Sequence, residues 1–341
     1  MCIRDRTITI KDIANKAGLS PASVSRILTN RGRFNAETAQ KVRDLAESMG
    51  YFKNQSAADL SQKESRVIGV LVPSSHTNFA DEIIKCMQSK AYELNYELIV
   101  AFVESDIQQQ IQTVKSLLSR NLLAIAMLAI DIDDTVLAVL LDTNVQLISV
   151  SNQLNNKIPS ISSNNYDTVH DIVDYLYDNG HRDIALIGSS RPEPIVANLR
   201  RQGFINALSE HGITYNPDFI WGVENTYQTG LDAIKHFGVP LPFSAAIGSA
   251  DIISIGLLNG AKDAQLSIPE DLSIVTIDGT DLTQLTRPIL TSTKQNFQLM
   301  GQLAITSLAE KKLSPHTIIF TDTTLVLGGT VASPLQRGKE N

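Results

Sequence analysis

The sequence lacks most of what would tie it to a membrane, a disulfide scaffold or a catalytic cofactor. Its two cysteines, Cys2 and Cys86, are too few and too far apart for a disulfide framework or a zinc site. No stretch approaches the roughly 18 uninterrupted apolar residues of a spanning helix. The longest such run, Leu122 to Ile130, has only the length of a buried strand. The opening MCIRDR has no apolar core of a secretory signal, so a cytoplasmic protein with no membrane partner is expected. No Walker A loop, nucleophile elbow or His/Glu metal motif is present, so no catalytic residue, metal or cofactor is expected. His181-Arg182-Asp183 spells the kinase catalytic tripeptide, but the downstream asparagine, Gly-rich loop and DFG are missing. It reads as a helix-to-strand turn. There is no short repeat or low-complexity tract, and no heptads follow Pro334 to build a coiled coil.

What is there suits a globular chain of two or three domains: 341 residues, 43% hydrophobic and 19% charged. The net charge of −7 hides an asymmetry. Residues 1–60 carry ten Lys and Arg against six Asp and Glu, whereas the remainder carries 19 against 30. A basic head on an acidic body suits contact with phosphates through the head alone.

Within that head, TIKDIANKAGLSPASVSRIL (Thr9 to Leu28) has the spacing of a helix–turn–helix. Ile10, Ile13, Ala14 and Ala17 make one apolar face. Gly18 stands where a helix stops in a left-handed turn, Ser20 can cap the next helix and Pro21 fits its first turn. Val24, Ile27 and Leu28 face inward and leave Pro21, Ala22, Ser25 and Arg26 outside, narrow enough for a major groove about 12 Å wide. The plainer alternative is a surface helical hairpin. A third helix from an Asn35 cap to Met49 closes the core with Ala39, Val42, Leu45, Ala46 and Met49. Residues 54–60, with Ala57, Ala58 and Leu60, are too few for an independently stable helix and would fold on binding.

From Arg66 apolar strands alternate with amphipathic helices in two successive series. The first holds VIGVLVP, YELIVAF, LLAIAMLAI and VQLISVS; the second holds DIALIG, FSAAIG and LSIVTID. Such alternation means α/β lobes with parallel sheets, whose ligand site lies beyond the carboxyl ends of the strands. LTSTKQ, a helix from about Asn296 to Leu313 and TIIFTDTTLVL follow. Asp131, Asp133 and Asp134 are expected to cap a helix and face water.

From about Thr7 to about Ala332 the chain resembles the lactose/galactose repressor (LacI/GalR) family of bacterial transcription regulators. The likeness rests on the head above, on GYFKNQSAADL, on IPSISSNNYDTVHDIVDYLYDNGHRDIALIG, on NLRRQGFINAL, on SIPEDLSIVTIDGTDL and on RPILTSTKQNFQLMGQ. The resemblance implies an α/β protein with an N-terminal helix–turn–helix three-helix head and a two-lobed core like the periplasmic binding proteins. The expected divisions are a head at 7–52, a hinge and linker at 53–65 and a core at 66–332. Lobe 1 takes about 66–162 and 293–322, and lobe 2 about 163–292 and 323–332. A homodimer on double-stranded DNA, a pseudopalindromic operator, is implied, with control by a small sugar or sugar phosphate.

Residue by residue, the family pattern places Pro21, Ala22 and Arg26 against base edges. Arg26 can donate twice to guanine O6 and N7, or else contact a phosphate. Thr9, Ser20, Ser23, Ser25 and Asn30 are expected phosphate donors, or simple caps. Ala57 belongs to the hinge, and Leu60 matches its minor-groove wedge. Lys53 and Ala58 depart from the usual proline and arginine. In the core, Arg200 and Asp278 match the polar effector contacts, facing each other across a cleft or closing it as a salt bridge. Phe79 offers an apolar face and Gln295 lies on the crossover strand; Asn225, Ala250 and Ser149 depart from the pattern at further ligand positions. A repressor of a carbohydrate-utilisation operon is the expected function. Its rivals are a catabolite-control regulator with a phosphorylated carrier-protein corepressor, a sugar-binding transport protein, an enzyme on α/β lobes and a purine as effector.

Overall fold

A computed structural model describes residues 8–29, 32–51, 65–74, 79–154, 157–190, 195–310 and 313–334. The chain divides into two compact units, Met1–Ser65 and Arg66–Asn341.

The first unit contains α1 (Ile10–Ala17), α2 (Pro21–Leu28) and α3 (Ala36–Ser48). Local chemistry sets each boundary. Gly18 ends α1 at φ 68°, where a residue with a Cβ would be strained, and its N–H returns to the Ala14 carbonyl. Ser20 accepts the Ser23 N–H to start α2, with Pro21 at its first position. Asn35 accepts the Glu37 and Thr38 N–H groups to start α3. Ile13, Ala14, Val24, Ile27, Ala39, Val42 and Ala46 form the core, with Leu45, Met49 and Tyr51 at its margin.

The second unit holds two six-stranded sheets. The first is built from β1 (Val67–Pro73), β2 (Glu97–Val103), β3 (Ala124–Leu128), β4 (Gln146–Val150), β5 (Ser160–Ser163) and β11 (Ile318–Thr321). Its order is β11-β5-β4-β3-β1-β2, and every pairing is parallel. The second contains β6 (Ile184–Ile187), β7 (Ile220–Trp221), β8 (Ala245–Gly248), β9 (Ser273–Asp278), β10 (Thr291–Gln295) and β12 (Thr323–Val326), in the order β12-β10-β9-β8-β6-β7. Only the β10–β12 pairing there is antiparallel.

Both faces of each sheet are covered, as parallel sheets require. On the first sheet α4 (Ala80–Glu93) and α12 (Phe297–Glu310) bury Ile83, Met87, Phe297, Met300 and Ile305 on one face. On the other, α5 (Ile107–Leu118) and α6 (Asp134–Leu141) bury Val114, Leu117, Val136 and Leu140. The second sheet is covered by α7 (Asn165–Asp178) and α8 (Ile195–Glu210) on one face. Its other face holds α9 (Tyr227–Phe237) and α10 (Asp251–Asp263). A short α11 (Leu282–Leu285) precedes β10. Each fully buried Phe, Ile or Met side chain contributes roughly 1.5–3 kcal/mol.

The chain passes between the sheets three times: after β5, after β10 and at Asp322, between β11 and β12. The run TIIFTDTTLVL is therefore two strands in different sheets. Thr291–Gln295 pairs with β9 through Lys294↔Asp278, so the second passage falls after Gln295 and not at 292/293 as expected. His181-Arg182-Asp183 is the turn between α7 and β6. His181 is buried with Nδ1 at 2.8 Å from Ser244 Oγ, and the Arg182 guanidinium covers the Tyr177 ring at 3.6 Å.

Candidate functional site

In the head, α2 leaves Pro21, Ala22 and Arg26 exposed while Val24 and Ile27 are buried. The Arg26 Nε reaches back only to the Ala22 carbonyl, at 3.4 Å. Its terminal nitrogens have no partner among the described residues, so the guanidinium fork is open to a base edge or phosphate. The hydroxyls are less open. Thr9 donates its N–H and its Oγ1 proton to Asp12 Oδ2, at 2.8 and 2.7 Å. Ser20 Oγ accepts the Ser23 N–H at 3.1 Å and lies 2.9 Å from Ser23 Oγ. For Thr9, Ser20 and Ser23 capping is the engagement seen, because the first turn of each helix has N–H groups to satisfy. Ser25 is half-buried beside Arg26. Asn30, Ala57 and Leu60, like Lys53 and Ala58, lie outside the described residues.

In the second unit a cavity of about 140 Å³ opens at the carboxyl ends of the strands of both sheets. It gathers Phe79, Arg200, Asn225, Asp278 and Gln295, although these are separated by up to 216 positions in the chain. Three strand ends leave the sheets there through left-handed non-glycine residues: Ala129 (φ 48°), Ser151 (φ 59°) and Asp278 (φ 102°). Such strain collects where the surrounding structure fixes a site. Phe79 is held flat, stacked on Phe297 with ring centroids 5.0 Å apart.

Arg200 is buried on α8, with Nε donating to Asn165 Oδ1 at 2.8 Å and Nη1 to the Ser249 carbonyl at 2.6 Å. These two bonds aim the rest of the guanidinium. The helix can come close enough because Gly203 lies against the Tyr166 backbone, where any Cβ would collide with the Tyr166 carbonyl. Asp278 accepts from Gln295 Nε2 at 2.7 Å, and Gln295 Oε1 accepts from Ser163 Oγ at 2.7 Å. Arg200 and Asp278 therefore do not face each other from opposite lobes. Both belong to the lobe of the second sheet, and they form no direct ion pair.

Asp251, at the start of α10, accepts from the Gly279 and Thr280 N–H groups and from the Thr276 and Thr280 hydroxyls. Burial pushes the Asp278 carboxyl up to about 8; neighbouring Asp251 adds to this, and Arg200 opposes it. The site can thus present a proton-bearing carboxyl, a guanidinium, two amides and a ring, a set that both donates and accepts toward hydroxyls.

Two expectations need correction. Ser149 is fully buried inside β4 and donates to the Asn152 carbonyl at 2.9 Å, so it does not line the cavity. The chain turns into the cleft two residues later, at Ser151 and Asn152. Asp131 is exposed as expected, but it lines the cavity and accepts from Asn152 Nδ2 at 2.8 Å instead of capping; Asp133 caps the helix by taking the Thr135 N–H. Burial pushes the Asp131 carboxyl up, and the Asn152 bond partly offsets it. The rule that ligands sit past the carboxyl ends of parallel strands would have found Asp131, Ser151 and Asn152, directly after LLAIAMLAI and VQLISV.

Residues 9–54 match the bacterial regulatory proteins of the lacI family, and residues 173–331 match the periplasmic binding protein-like domain. A solved LacI family transcriptional regulator from Weissella paramesenteroides, with bound sucrose, is 37% identical. That match covers 79% of this chain and 99% of the other, with a TM-score of 0.74. This chain belongs to the LacI family. The HTH-type transcriptional repressor CytR of Escherichia coli (strain K12) is 28% identical over 318 residues, 92% of each chain. The Lac repressor dimer bound to operator and the anti-inducer ONPF shares the fold, at 24% identity and a TM-score of 0.84 over 96% of this chain and 100% of that one. This LacI-family chain is a DNA-binding transcriptional regulator and not an enzyme. No described helix is long and apolar enough to cross a membrane.

Proposed function

We propose that this regulator represses a carbohydrate-utilisation operon and is controlled by a small sugar-like effector bound at Phe79, Arg200, Asn225, Asp278 and Gln295. The observation that carries the reading is the cavity itself. A stacked aromatic face beside convergent groups of both hydrogen-bonding senses suits a ring with many hydroxyls. The bound sucrose of the Weissella regulator supports it. Pro21, Ala22 and Arg26 read base edges, and Arg26 supplies the strongest discrimination through a bidentate contact.

The protein acts as a homodimer on a pseudopalindromic operator. Edge strand β2 exposes Val100 and Phe102, and Tyr92 at the end of α4 is 85% exposed, an apolar surface that a second copy would cover. Because the cavity is lined from both lobes, an effector that prefers one lobe arrangement biases the equilibrium between DNA-competent and released states. The coupling is reciprocal: operator must alter effector affinity by the same factor.

The test is operator binding by the purified chain, at fixed salt, on DNA from its own upstream region with a panel of sugars. Specific binding released by one sugar supports the proposal and names the effector. Specific binding indifferent to every sugar overturns the sugar reading and favours a phosphorylated carrier protein or a purine. No specific binding removes the operator assignment.

A further inference from the structure

On the outer surface of the second lobe, away from the cavity, α7 and the end of α8 bring together histidines and carboxylates that the regulatory reading does not use. His170 and Asp174 are one turn apart on α7; Glu210 and His211 end the neighbouring α8. His170 Nδ1 lies 3.2 Å from Asp174 Oδ2, and His170 Nε2 lies 3.0 Å from Glu210 Oε2. His211 Nε2 lies 2.7 Å from Asp174 Oδ1, and its ring is stacked on Tyr177 at 3.8 Å. Asp171 completes the group, since donor atoms of His170, Asp171 and Asp174 all lie within 4.8 Å of one another.

This arrangement is short of positive charge. A neutral imidazole has one N–H and one lone pair, yet both nitrogens of His170 face carboxylates. One of those contacts is lone pair against lone pair unless a cation, either a second proton or a metal ion, sits there. Asp167, Asp171, Asp174 and Glu210 crowd the same side of the two helices.

We infer that His170 through Nδ1, Asp171 and Asp174 form a binding site for a divalent transition-metal cation, zinc being the best fit, while Glu210 accepts the Nε2–H of His170 from α8. Imidazole nitrogen with carboxylate oxygens is a borderline donor set, which suits zinc over magnesium or calcium. Zinc takes these donors at about 2.0–2.2 Å, so donors draw to roughly 3–3.5 Å apart. The His170 Nδ1–Asp174 Oδ2 pair is already at that spacing, and Asp171 must swing inward. His211 does not need to ligate. Bonded to Asp174 and locked against Tyr177, it orients that carboxylate from behind, as outer partners orient metal ligands generally. The site is reachable: the side chains of His170 and Asp174 are 19% and 40% exposed. A bound ion would fix the imidazole that Glu210 holds, at the far end of the helix that carries Arg200, ten residues or about 15 Å away.

The experiment is a zinc titration of the full-length, tag-free, chelator-treated chain, read by calorimetry and thermal unfolding, with cobalt as a visible-absorbance probe. The expected result is one ion per chain, a rise in Tm of a few degrees at saturation and cobalt d–d bands. His170→Gln and Asp174→Asn each weaken zinc binding at least tenfold, while Cys86→Ser leaves it unchanged. Zinc-free melting of the variants shows whether they fold, and Glu210→Gln, at the outer partner of the imidazole, gives a milder variant expected to weaken binding severalfold. Absence of saturable binding below millimolar zinc overturns the proposal. So does binding that survives His170→Gln and Asp174→Asn together.

Discussion

The two working surfaces of this regulator are built in opposite ways. The surface proposed to read DNA lies on eight consecutive residues, Pro21 to Leu28, whose exposed and buried positions follow from helical spacing alone. The effector cavity collects single residues from strand ends and helices between Phe79 and Gln295, each placed by burial elsewhere. A local surface survives if its helix forms. A distributed one survives only if two sheets, three crossings and several close helix contacts are all correct.

The largest expected contrast comes from Arg200→Ala. It leaves Asn165 Oδ1 and the Ser249 carbonyl without their donor, and removing one side of a buried charged hydrogen-bond set costs roughly 2–5 kcal/mol. Effector affinity should fall at least about thirtyfold, with specific operator binding retained but no longer released. Calorimetry with the effector and anisotropy with the operator, on one preparation, separate the two. Equal loss of both would break the distinction between local and distributed sites.

Arg26→Ala is the reciprocal change. Losing a bidentate base contact costs about 1–3 kcal/mol, so operator affinity should drop roughly five- to 150-fold and sequence preference should relax. Effector affinity of the free protein should not move. If affinity falls equally on random DNA and the salt slope shrinks by about one, Arg26 is a phosphate contact instead.

Gly203→Ala tests the packing that lets α8 approach α7. The new methyl meets the Tyr166 carbonyl, and overpacking of this kind costs roughly 1–3 kcal/mol. The core should melt lower, by calorimetric scanning, while the helical signal of the head is unaffected. An unchanged Tm would show that α8 can slide without penalty.

The last contrast is one of pH. Asp278 titrates near 8 in the folded protein, far above an ordinary carboxyl, so the folded state holds a proton that the unfolded state has released. Stability from this group is therefore present at low pH and declines as pH rises from about 4 towards 8. His181 works in the other direction: burial lowers its pKa, so its contribution is lost as pH falls through the ordinary histidine range. Denaturant midpoints from pH 5 to 9 should fall on the alkaline side, and Asp278→Asn should flatten that limb. A slope that persists in the variant would place the proton elsewhere.

Much of this was legible because it is periodic. The caps at Ser20 and Asn35, the Gly18 stop and the core positions Ile13, Val24 and Val42 all follow from spacing. So does the alternation that builds two parallel sheets. Arg200, Asp278 and Asn225 were reached through family pattern, and Phe79 and Gln295 through their places after and on a strand; the structure brings all five to one cavity. Ser149 was misplaced by two residues because β4 is buried on both faces, and a strand's pattern does not show where its chain turns outward. Asp131 faces water as expected, but it does not cap, because the acidic run after β3 serves two purposes, one capping and one lining the cleft.

The sequence by itself determined the helices of the head with their ends, most strands of the two sheets and the amphipathic face proposed to read DNA, since those depend on neighbours within one turn or one strand. Only the tertiary structure decided that Arg200 and Asp278 stand side by side on one lobe, that Gln295 ties Asp278 to Ser163, and that His170 faces carboxylates from two helices. Apart from His170–Asp174, one turn apart on α7, those relations join residues 17 to 132 positions apart, and no local periodicity carries information over such distances.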